Sequence, residues 1–181
     1  SDDFHFHAAS AIGSRINSNT PLPENFFEIL RGWLISWSPP VQTSTTEEQA
    51  DGESVIWHSH RMVMLPHGNY PILETLSRAC LLPKQPLTDR WLSILEEHLL
   101  RNEDPEVWKV LSIYWLPNLA FADKNRSELF LDALFSKYPK VINSADGAVL
   151  IARTQSWVSE SFVSKWLNQL KDSDWKLGAQ A

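Results

Sequence analysis

The sequence predicts an all-α fold, a right-handed superhelix built from antiparallel helix pairs. Three observations carry that reading. Apolar residues recur at three- and four-residue spacing along most of the chain, helix-start and helix-stop residues punctuate the recurrence, and the clearest helices begin at intervals of roughly 33 to 38 residues,. The chain is read as one helical-repeat domain over residues 1–181, or as a piece of a longer solenoid.

The organising stretch runs from Asp104 to Tyr138 and reads as two amphipathic helices joined by a turn. Asp104 can accept hydrogen bonds from the open amides of a helix start, and Pro105 presets φ at the first helical position. Val107, Trp108, Leu111, Tyr114 and Trp115 then share one side until Pro117 perturbs or ends the helix,. After Ala122-Asp123-Lys124, residues Leu129, Phe130, Ala133, Leu134 and Tyr138 repeat the pattern, with Glu128, Asp132 and Lys137 expected to face water,. Stripes this wide need a partner helix.

From the N-terminus, Phe4, Phe6, Ala8 and Ile12 fit a helical or an extended pattern, and Asn17-Ser18-Asn19-Thr20-Pro21 reads as a turn,. Pro23-Glu24 opens a helix in which Phe26, Phe27, Ile29, Leu30, Trp33, Leu34 and Trp37 form a broad apolar face, ending at Ser38-Pro39-Pro40,. Residues 39–54 are polar, acidic and rich in Ser and Thr, which predicts a flexible loop,. Val55 to Leu65 suits alternation and helix alike, with context favouring helix,.

Pro66-His67-Gly68-Asn69 reads as a turn, and Pro71 as the first residue of a helix carrying Ile72, Leu73, Leu76 and Cys80, closed by Pro83 and Pro86,. Thr88-Asp89 caps the next, with Trp91, Leu92, Leu95, Leu99 and Leu100 on its buried side,. Ser144-Ala145-Asp146 and Ser159-Glu160 start the last two, the final one with Phe162, Val163, Trp166, Leu167 and Leu170 inward,. Within this series, Leu22, Glu24, Phe26, Ile29, Leu30 and Leu34 match Leu87, Asp89, Trp91, Ile94, Leu95 and Leu99 in spacing,.

Composition narrows the function classes. A net charge of −6 without a basic cluster gives no footprint for nucleic acid or an anionic membrane,. No apolar run approaches the roughly 20 residues a bilayer span needs, and the N-terminus has no signal-peptide core, so the cytoplasm is the expected location,. The chain begins at Ser1 and a new helix starts near Asp174-Trp175, from which an excised segment of a longer polypeptide is expected. The single cysteine, Cys80, lies in an apolar pattern and reads as a buried structural thiol,.

Few residues point to chemistry. His58 and His60 would project from one side of an extended segment toward a metal, with His67 nearby,. A small metal-dependent hydrolase using that histidine cluster is the alternative reading, which stoichiometric zinc in untagged protein would support. The carboxylates Glu96-Glu97, Glu103-Asp104 and Asp172-Asp174 read as solvated or capping charge,. No Gly-x-Ser-x-Gly elbow or phosphate-binding loop is present, so neither catalysis nor a cofactor is expected,. Of nine tryptophans, Trp33, Trp91, Trp108, Trp115 and Trp166 sit where they fill gaps between helices,. Trp37, Trp57, Trp157 and Trp175 lie near helix ends or loops and are candidate contacts for a protein partner,.

The pattern from Leu22-Pro23-Glu24 through Trp33-Leu34, then Leu65-Pro66-His67-Gly68-Asn69-Tyr70-Pro71, then Asp172-Ser173-Asp174-Trp175 resembles the HEAT/TPR-like helical-repeat region of large bacterial proteins. Among these are the STAND-type nucleoside triphosphatases of antiviral defence, in which a helical array follows the nucleotide-binding module. The resemblance covers most of the chain and implies a non-catalytic protein-interaction or sensor segment of a larger protein. It transfers no functional residue.

Overall fold

The computed structural model describes residues 2–36, 70–101, 111, 114–138, 142 and 145–172. Among them the protein is mostly helical and contains no strand, only an isolated bridge between Asn17 and Thr20. The helices are α1 (Asp2–Gly13), α2 (Glu24–Ser36), α3 (Tyr70–Leu81), α4 (Thr88–Arg101), a 3-10 helix (Leu116–Phe121), α5 (Lys124–Lys137), α6 (Ala145–Thr154) and α7 (Glu160–Asp172). They fall into two compact units, α1 to α4 and the 3-10 helix with α5 to α7. Most of the 104–115 stretch, the 39–54 loop, the 55–65 run and the end of the chain lie outside the described residues.

In the first unit α3 is the central helix, packed by α1, α2 and α4. Ten of its twelve residues are buried, which a helix apolar on nearly every side requires,. The other two, Glu74 and Arg78, are one turn apart and pair at 2.9 Å,. Each fully buried leucine of α3, Leu73 and Leu76, contributes about 1.5–3 kcal/mol,.

The polar residues of α3 that go inside are all satisfied. Thr75 donates to the Ala9 carbonyl at 2.9 Å, and Ser77 donates to the Leu73 carbonyl at 2.8 Å while accepting the Trp91 indole N–H at 3.0 Å,. Ala9 and Gly13 give α1 a low ridge one turn long, and a Cβ on Gly13 would meet Thr75 Oγ1. That missing atom lets α1 approach α3.

The turns are held locally. Asn17 Oδ1 accepts the amides of Asn19 and Thr20 at 2.9 and 3.0 Å, the Asx turn its composition predicts,. The Pro23 carbonyl accepts the Phe26 and Phe27 amides, which starts α2, and the Leu87 amide returns to the Cys80 carbonyl at 2.8 Å before α4 begins. The α2–α4 seam is ionic. Arg90 holds both oxygens of Glu24, reaches Glu28 at 3.3 Å and lies 3.6 Å above the Phe27 ring, while Arg31 pairs with Glu97 at 3.2 Å. Hydrogen bonds from Arg90 hold the Glu24 carboxyl below the ordinary carboxylate range,.

In the second unit, Pro117 does not stop the chain's coiling but tightens it into the 3-10 helix,. Asp123 caps α5 through the Arg126 amide at 2.9 Å,. The inward face of α5 differs from the expected one. Ser127, Glu128, Phe130, Leu131, Leu134 and Phe135 are buried, whereas Leu129 and Ala133 face out. Glu128, expected in water, is inside because its Oε1 accepts the Ser159 amide at 2.6 Å at the start of α7, and Ser127 donates to the Leu119 carbonyl at 3.1 Å. Asp132 is likewise engaged, accepting Lys165 at 2.6 and 2.8 Å and the Trp166 indole N–H at 3.2 Å. Trp166 is wholly buried, edge-on to Phe135 with centroids 4.9 Å apart,.

Candidate functional site

On α2 the broad apolar face is wider than the core can cover. Phe27, Leu30 and Leu34 turn into the first unit and are buried. Phe26, Ile29 and Trp33, spaced three and then four residues apart, form an adjoining stripe on the same helix that stays largely outside,. Phe26 is 44% and Ile29 47% exposed.

The N-terminal end of α1 extends this stripe. His5 stacks on Trp33 with centroids 4.4 Å apart and planes 22° from parallel, and Phe4, 63% exposed, meets the same indole edge-on at 6.1 Å. Phe4 and His5 contact one another at 6.0 Å. The result is an aromatic and aliphatic shoulder made by Phe4, His5, Phe26, Ile29 and Trp33.

Its electrostatics follow from where α2 puts its charges. The three charged residues of the helix, Glu24, Glu28 and Arg31, are all engaged with each other or with Arg90 and Glu97 at the α4 seam. Beyond the shoulder, Asn25, Gly32 and Ser36 are exposed and uncharged. The shoulder therefore presents apolar surface flanked by neutral polar residues, a composition suited to the centre of a protein contact.

Chemistry on the described residues has less to work with. No three His, Cys, Asp or Glu side chains among them converge as a metal site. Cys80 is fully buried, and desolvation pushes its thiol up to about 12 against the opposing pull of Arg90, which keeps it from being a thiolate nucleophile,. No described helix is long and apolar enough to cross a membrane.

Of the candidate partner contacts read from the sequence, Trp157 lies half-buried in the turn after α6, its amide bonded to the Thr154 carbonyl at 3.0 Å. Trp37, Trp57 and Trp175 lie outside the described residues, as do His58, His60 and His67. Trp33, expected among the gap fillers, is instead half-buried at the surface. Phe4, Phe26 and Ile29 were legible as apolar residues but not as outward ones; the over-wide stripe of α2 signals Phe26 and Ile29, and no sequence feature signals Phe4. The class these features define is a protein mostly helical among its described residues, with an exposed apolar shoulder. Comparison with models of protein families, with curated proteins and with solved structures gives no match to this chain.

Proposed function

We propose that the chain is a non-catalytic protein-interaction or sensor segment, a HEAT/TPR-like helical array within a larger cytoplasmic bacterial protein, and that it receives a protein partner on the α1–α2 shoulder. The exposed shoulder of Phe4, Phe26 and Ile29, with Trp33 stacked on His5, carries the reading. Large exposed aromatics supply contact area at low ordering cost, and the acidic and basic side chains of α2 are engaged at the α4 seam and not on this stripe,. The roughly 33- to 38-residue spacing of helix starts supports the repeat array,. Its resemblance to the arrays of STAND-type triphosphatases supplies the setting, with any nucleotide chemistry residing elsewhere in the parent protein.

Paired replacement Phe26→Ser with Ile29→Ser tests the reading, with Leu129→Ser, an exposed apolar residue of α5, as control. Partners recovered from the source cells are quantified for each variant after circular dichroism has established native helix content. The expected result is loss of a specific partner with the shoulder pair and its retention with the control. Equal recovery by the wild type, the shoulder pair and the control would overturn the assignment.

A further inference from the structure

We draw no further inference here: the strongest candidate, the exposed apolar shoulder of α2 formed by Phe26, Ile29 and Trp33 with Phe4 and His5 of α1, is the surface on which the proposed function already rests, and nothing in the structure shows what covers it.

Discussion

The imidazole of His5 lies flat against the indole of Trp33, 4.4 Å away and 22° from parallel, and this contact joins the first turn of α1 to the outer side of α2. Stacked aromatic pairs contribute about 0.5–1.5 kcal/mol beyond the area they bury. Trp33→Ala removes this stack and the edge contact with Phe4 together, so a loss of about 1–3 kcal/mol is expected in urea unfolding,. Phe26→Ser, on the same stripe but 44% exposed, should cost less than about 1 kcal/mol,. Comparable losses at both positions would mean that Phe26 belongs to the core and not to a binding surface.

Cys80 makes alkaline stability informative. The unfolded thiol ionises near 9.0 while the buried one holds its proton to about 12, so between those values the unfolded state binds fewer protons and stability falls as pH rises,. The contribution is complete below pH 9. Cys80→Ala should flatten that alkaline decline while costing some packing, and the native thiol should resist iodoacetamide until the protein is unfolded. Rapid alkylation of native protein at pH 8 would contradict the burial.

Glu128 is a buried polar residue of the second unit whose removal should be felt. Its carboxylate accepts the Ser159 amide at 2.6 Å from a side chain only 8% exposed, with Lys124 3.9 Å away. Glu128→Ala leaves that amide without its acceptor and should cost about 1–3 kcal/mol. Glu128→Gln, which keeps an acceptor oxygen, should recover part of the loss. A chemical-denaturation midpoint unchanged by the alanine variant would show that the cap contributes little.

Three glycines should respond with different signs to the same added methyl. A Cβ at Gly32 has no neighbour within 4 Å, so Gly32→Ala should stabilise α2 by about 0.5–1 kcal/mol,. Gly13→Ala must displace Thr75 from its bond to Ala9, and should cost about 1–3 kcal/mol,. Gly147→Ala meets the backbone of Ile142, with its Cα and carbonyl carbon at 2.6 Å, and should be the most damaging because main chain cannot rotate aside,. Thermal melts of the three variants check the order.

The sequence made helix starts legible because they depend on short-range chemistry. Pro23-Glu24, Thr88-Asp89 and Ser159-Glu160 each stand where a described helix begins,. Helix rotation was harder to read. In α5, Phe130 and Leu134 belong to either of two overlapping faces, one with Leu129 and Ala133 and the other with Ser127, Leu131 and Phe135. The second goes inward because Ser127 and Glu128 find fixed partners in Leu119 and Ser159, residues 8 and 31 positions away. Spacing contains no record of such partners.

The candidate site was half legible for the same reason. Six of the apolar residues read as one broad face, Phe26, Phe27, Ile29, Leu30, Trp33 and Leu34, do share α2, but which of them the core would leave uncovered depends on where α3 and α1 pack. The spacing match between Phe26 and Trp91 illustrates the point: Phe26 stands 44% exposed and Trp91 is 1% exposed, its indole bonded to Ser77. Equivalent positions in a helix pattern acquire opposite roles once tertiary neighbours are fixed.

The most direct test of the shoulder is photocrosslinking from Ile29 in the cells that make the protein. A benzophenone amino acid placed there, with the same group at Leu129 as reference, reports what lies within a few ångströms of each site. The account predicts a discrete heavier adduct from position 29, lost when Phe26→Ser is introduced beside it, and none of that mass from position 129. An absence of adduct at 29, or the same adduct from both positions, would contradict it.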